Sequence, residues 1–121
     1  MVYVRFQDLD IYRLAEKLAD VIWKIVTGWQ TLEKDTLGKQ IIRAVDSIGA
    51  NITEGMGRGS FQDNRRFVYI ARGSLYETQH WLRHAYRREL LTVEQTNTIH
   101  PIIAELSPKL NAYLNSITNN K

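Results

Sequence analysis

The chain has 121 residues, about one domain, and a net charge of only +3. It holds no cysteine, which excludes disulfide staples and thiolate metal sites. Its longest apolar run, VIWKIV, is broken by Lys24 and falls far short of the ~20 residues a membrane span needs. MVYVRFQDLDIY likewise lacks the apolar stretch of a secretory leader, so the expectation is a cytoplasmic protein with no membrane partner.

Residues 9–30 repeat apolar side chains at Ile11, Leu14, Ala15, Leu18, Ile22, Ile25, Val26 and Trp29. That is helical spacing. TLEKD (31–35) is expected to break it, and a second helix over about 35–57 has its stripe at Ile41, Val45, Ile48, Ile52 and Met56. GRGS (57–60) reads as a turn. Ser60 and Asp63 are spaced as a helix start, opening a third helix over 62–89. Thr92 and Gln95 form the same box for a fourth over 93–117, with Ile99, Ile103, Leu106, Leu110, Tyr113 and Ile117 apolar. Pro101 and Pro108 fall inside that pattern, which predicts bent first turns or a displaced start. The tail NSITNNK is expected to fray. No strand pattern competes, and four amphipathic helices with short connections predict an all-α, antiparallel up-down-up-down four-helix bundle, a single domain over 1–121.

The second helix carries SIGANITEGMGRGS, with glycines at 49, 55, 57 and 59. Each glycine inside a helix costs about 1 kcal/mol relative to alanine. Gly49 borders the apolar side, where another backbone is expected to come close. Gly55, Gly57 and Gly59 suit a left-handed helix exit. Opposite the apolar stripe lie Arg43, Ser47, Asn51, Glu54 and Arg58. Arg43, Ser47, Asn51 and Glu54 read as a structural polar seam against a neighbouring helix or subunit, a ligand site being the competing reading. Glu54 is expected to pair with an arginine across such a boundary, Arg43 or Arg72.

Charge concentrates in the third helix. Residues 58–88 contain seven arginines, opposed only by Asp63 and Glu77. Arg65, Tyr69, Arg72, Tyr76, Arg83 and Arg87 share a narrow wedge of its wheel, opposite Phe67, Ala71, Ser74, Leu75, Thr78, Trp81, Leu82 and Ala85. Gly73-Ser74 offers a further spot for helices to approach. Arginine forks pair with phosphate, and interleaved tyrosines stack on bases. The candidate nucleic-acid-binding set is therefore Arg58, Arg65, Arg66, Tyr69, Arg72, Tyr76, Arg83 and Arg87. Tyrosine and arginine are equally common anchors of protein interfaces, so a protein partner stays open.

QIIRAVDSIGANITEG (40–55), YIARGSLYET (69–78) and FQDLDIY near the start together resemble the four-helix bundle family named for the protein encoded in intervening sequences of bacterial 23S ribosomal RNA. The resemblance runs from about Phe6 to Leu91 and more faintly through the last helix. A related branch is the accessory variability protein of diversity-generating retroelements, which partners a reverse transcriptase and RNA. The resemblance implies a small bundle that assembles into a homo-oligomeric ring, a pentamer, with basic surfaces for nucleic acid. The chain departs from that pattern at Gly49, where the resemblance implies proline after SI in many relatives. The family supplies no catalytic residues to carry over.

Catalytic constellations are sparse. Glu77 and His80 form one Glu-x-x-His pair, but a di-iron bundle needs two such pairs and further carboxylates. His80 and His84 alone make a weak chelate. No arginine stands four to six residues before a histidine, as in helical ribonucleases of the HEPN type, and no phosphate loop is present. The expectation is a non-enzyme without cofactor or metal, an RNA-favouring scaffold or accessory subunit. The alternative is an adaptor docking a nucleic-acid enzyme such as a reverse transcriptase, without nucleic-acid binding of its own.

Overall fold

The computed structural model describes residues 5–117. Among them are four long helices and no strand: α1 (Asp10–Thr27), α2 (Lys39–Met56), α3 (Phe61–Arg87) and α4 (Val93–Ile117). A single 3-10 turn, Phe6–Asp8, precedes α1.

The helices form where the apolar period places them. Ile11, Ala15, Leu18, Ile22 and Val26 of α1 recur every three or four residues and are all buried. They meet Ile41, Val45, Ile48 and Ile52 of α2, Val68, Ala71, Leu75 and Leu82 of α3, and Ile99, Leu106, Leu110 and Leu114 of α4 in one core. Burying each of the larger side chains contributes roughly 1.5–3 kcal/mol. Each helix packs on two others, α1 on α2 and α4 and α3 on α2 and α4, with the α2–α3 contact the most extensive.

Two starts are capped as their spacing requires. Ser60 Oγ accepts from the Asp63 backbone N–H at 3.1 Å. At α4 the Thr92 N–H donates to Gln95 Oε1 at 2.9 Å, and the Gln95 N–H donates to Thr92 Oγ1 at 3.0 Å, a reciprocal capping box.

Several local expectations are corrected. TLEKD is no break, because Thr31–Glu33 is already helical and runs through a π-helical stretch, Lys34–Gly38, into α2. That wider turn brings Leu37 and Gly38 into the core. A Cβ on Gly38 would lie 2.7 Å from Val26 Cγ1 and 3.3 Å from the Glu33 carbonyl, so any larger residue would force a shift there. Helix α4 accepts both prolines without a displaced start. Both rings are exposed, as are Asn97 and Ala104 four residues earlier, whose carbonyls lose their helical donors on the solvated side. Of the NSITNNK tail, residues 115–117 complete α4; the rest lies outside the described residues.

The glycines are also redistributed. None of those described has positive φ, and α2 ends at Gly57 with φ −79°. The left-handed residue is Glu89, at φ 60°. Its N–H donates to the Tyr86 carbonyl and that of Leu90 to the Ala85 carbonyl, a Schellman closure of α3 with glutamate in glycine's usual place. The tight approach is at Gly55, where a Cβ would sit 2.5 Å from Asn64 Oδ1 and 3.1 Å from the Asn64 carbonyl. At Gly49 a Cβ would make ordinary contact with Tyr12, and at Gly73 it would meet nothing.

Candidate nucleic-acid interface

Helix α3 buries Val68, Ala71, Ser74, Leu75, Thr78, Leu82 and Ala85. The opposite side of its 27 residues is therefore left to solvent, and the arginine-tyrosine wedge lies there. Tyr69 and Tyr76 are 45% and 57% exposed, so both rings offer area to a stacking partner. The Arg65 guanidinium lies 5.8 Å from the Tyr69 centroid and that of Arg72 lies 5.0 Å away, within cation–π range. Arg72 is steadied from α4, its Nη1 donating to Asn111 Oδ1 at 3.2 Å. Of the five N–H donors of a guanidinium, that bond uses one. Arg65 is half-buried, and its Nε makes no hydrogen bond within the protein.

The eight candidate residues do not form one patch. Arg58 and Arg66 turn toward Phe67, at 4.8 and 4.6 Å from its centroid. They are also engaged by carboxylates, Arg58 with Glu54 at 2.8 Å and Arg66 with Asp63 at 3.7 Å. Arg83 lines a groove of about 740 Å³ between α3 and α4, beside Tyr86 and His100. Arg87 is exposed in the last turn. From residue 65 to residue 83 the helix rises by about 27 Å, so the wedge is a long stripe with its organised part at Arg65, Tyr69 and Arg72 and the exposed Tyr76 next along it.

Asn111 and Phe67 were not among the candidates. Asn111 lies on another helix, with no signal in the α3 pattern. Phe67 falls on the apolar side of the wheel, yet it is half-buried, with Arg58 and Arg66 over its ring.

The α2 seam contracts to its centre. Ser47 Oγ and Ser74 Oγ share a hydrogen bond at 2.7 Å. Asn51 Nδ2 donates to Ser47 Oγ at 3.0 Å and to the Ser47 carbonyl at 2.8 Å. One turn along, Thr78 Oγ1 donates to the Ser74 carbonyl at 2.8 Å. These groups join α2 to α3 within one chain. Glu54 pairs with neither Arg43 nor Arg72; its partner is Arg58, four residues on, with both side chains about half exposed. Arg43 is exposed at the rim of a separate groove.

The histidines are committed elsewhere. His80 and His84 pack edge to face at 4.6 Å. Glu77 accepts from the Trp81 indole N–H at 3.1 Å. Partial desolvation, followed by the charges of Arg88, His80, Arg87 and Arg83, pushes the His84 imidazole below its ordinary value. It therefore adds little positive charge at neutral pH. Among the described residues no group of three or more His, Asp or Glu side chains is placed to hold a metal, and no helix is long and apolar enough to cross a membrane.

Comparison with known proteins adds a lineage. The family model of the 23S rRNA-intervening sequence protein matches residues 7–112. No curated protein matches the chain. A solved structure from Bacteroides thetaiotaomicron, described as a protein of unknown function from the S23 ribosomal protein family, is similar with 28% identity and a TM-score of 0.76, covering 86% of this chain and 97% of that one.

Proposed function

Because the chain belongs to the 23S rRNA-intervening sequence protein family, we propose that it is a non-catalytic bundle that binds nucleic acid, RNA in preference, as a scaffold or accessory subunit. Binding runs through the α3 face formed by Arg65, Tyr69, Arg72 and Tyr76. The observation that carries this is the exposed Tyr69 ring beside two guanidiniums, one of them held by Asn111. Arginines steadied in advance lose less entropy on meeting phosphate, and the tyrosine faces stack on unpaired bases.

The helices follow an up-down-up-down course in this reading. The Trp29 indole N–H donates to the Leu90 carbonyl at 3.1 Å, which brings the exits of α1 and α3 to one end. Lys109, in the second half of α4, pairs with Asp10 at the start of α1. Identical subunits close into a cytoplasmic ring, five copies as the family resemblance implies. Light scattering should give that multiple, and a single monomer peak would remove the ring.

Salt titration tests the binding face. The logarithm of affinity for single strands should fall with log salt by about 0.7 per neutralised phosphate. Arg65→Ala with Arg72→Ala should flatten that slope. Tyr69→Ala and Tyr76→Ala should cost about 1–3 kcal/mol per lost stack and leave the slope nearly unchanged. Absence of salt-sensitive binding to RNA or DNA at micromolar concentration overturns the reading.

A second reading, an adaptor that docks a protein such as a reverse transcriptase, has its own support. Glu16, Asp20, Asp46 and Glu54 line a groove between α1 and α2. It is an acidic surface on the same chain, opposite in sign to the α3 face, and paired surfaces of opposite charge steer protein association.

A further inference from the structure

A second aromatic and basic site lies away from the α3 stripe. The ends of α1 and α3, the π-helical stretch and the start of α2 enclose a groove of about 890 Å³, within the range of small-molecule sites. Trp23 and Trp81 line it, together with Lys34, Lys39, Arg43 and Arg88. Asp35 is the lone carboxylate on its wall. None of these four cations joins the ion pairs formed among the described residues.

We propose that this groove binds a nucleotide, its base stacked on the Trp23 indole and its phosphate held by Lys39 and Arg43. Trp23 is 56% exposed, an unusual amount of indole to leave in water unless something covers it. Trp81 is fixed by the bond from its indole N–H to Glu77 Oε2. A surface with a net excess of three cations and two indoles matches a ligand that is flat, aromatic and anionic at once, whereas an acidic peptide would leave the indoles unused. The wall is rigid where it matters. The π-helical turn that carries Lys34 and Asp35 is anchored by buried Leu37 and by Gly38 against Val26, and π-helical turns recur at functional sites. Base stacking on an aromatic ring beside a cationic rim is how unpaired nucleotides are held in general. The ligand is either a free mononucleotide or one residue of a single strand, since both present the same base and phosphate.

The test uses the full chain and its tryptophan fluorescence. Titration with 5′-AMP at low salt should give saturable quenching. Adenosine, lacking the phosphate, should bind at least tenfold more weakly, and inorganic phosphate should compete without quenching. Trp23→Ala should remove most of the signal and weaken AMP binding roughly tenfold, as loss of one stack implies. Lys39→Ala with Arg43→Ala should abolish saturation. Both variants alter exposed side chains, so folding is retained. Arg65→Ala with Arg72→Ala should leave AMP binding intact, which separates this groove from the α3 face. Displacement of AMP by a short single-stranded oligonucleotide assigns the groove to a strand; strand binding without displacement assigns it to the free nucleotide. No saturable quenching at millimolar AMP overturns the proposal. So does a Trp23→Ala variant that binds AMP normally but falls apart as an oligomer, because the indole would then be covered by a second copy.

Discussion

Both sides of α3 carry polar residues, two hydroxyls set in an otherwise apolar inner side and the arginines and tyrosines of the outer one, and these do opposite things. On the inner side, the Ser74 hydroxyl meets that of Ser47, Asn51 closes onto Ser47 from the same helix as that serine, and Thr78 donates to the Ser74 carbonyl, so these groups find their partners inside the fold. On the outer side, Arg65, Tyr69 and Arg72 are gathered by only two cation–π contacts and the bond to Asn111, with Tyr76 exposed one turn further along. Short side chains at a close helix contact spend their hydrogen-bonding capacity inside the fold. Long ones on the far face keep most of it for a ligand. What separates the two polar sets is the closeness of a neighbouring helix, and at Gly55 the missing side chain lets α2 approach α3.

The largest effect should therefore come from Gly55→Val. A Cβ alone would stand 2.5 Å from Asn64 Oδ1 and 3.2 Å from Phe67 Cβ, and the Asn64 backbone lies just behind. The cost is expected to reach the top of the overpacking range, about 3 kcal/mol, a loss of roughly 10 °C in melting temperature for a domain of this size. Gly73→Ala, facing open space, should be neutral or stabilising through the better helix propensity of alanine. Equal melting temperatures for the two variants would break the link between spacing and the inner seam.

Next in size is Ser47→Ala. It strips Ser74 Oγ of its 2.7 Å partner and removes one acceptor of the Asn51 amide. A buried hydroxyl left unsatisfied costs about 1–2 kcal/mol. The double change Ser47→Ala with Ser74→Ala should recover part of that loss, because both ends of the bond then go. Nucleic-acid affinity at a temperature where both variants are folded should not move. A seam variant that kept its stability but lost binding would transfer the binding site to the inner side.

Much of this arrangement is legible in the sequence. The four helices lie within a few residues of their periodic pattern because one stripe per helix had to be buried, and the caps at Ser60 and Thr92 follow from side chains three residues apart. A helical wheel gives a direction but neither a depth nor a neighbour. It places Ser47, Asn51 and Glu54 on one arc, yet Ser47 and Asn51 are half-buried while Glu54 is exposed. The wheel likewise cannot name Asn111 as the partner of Arg72, since the choice is made by α4, 39 residues away. Nor does it tell Gly55, which is forced, from Gly49, which is not. The π-helical stretch escaped because apolar period carries no sign of a wider turn, nor of how closely Gly38 lies to Val26 on another helical segment.

The smallest expected effect separates the two sides most finely. Glu54 shares its arc with Ser47 and Asn51, and membership of the inner seam would make its removal expensive, since breaking a buried ion pair costs about 3–5 kcal/mol. In the structure its carboxylate meets Arg58 at 2.8 Å, with the two side chains 50% and 43% exposed. Exposed pairs four residues apart contribute only about 0.3–0.5 kcal/mol. Glu54→Ala should thus shift the melting temperature by no more than about 2 °C. Its second consequence is electrostatic. Losing the carboxylate frees the Arg58 guanidinium, still resting over Phe67, to meet a phosphate. Single-strand affinity should then rise slightly at low salt, and the slope against log salt should steepen by up to about 0.7. A large fall in stability would return Glu54 to the seam. An unchanged slope would confine the interface to Arg65, Tyr69, Arg72 and Tyr76 and leave Arg58 outside it.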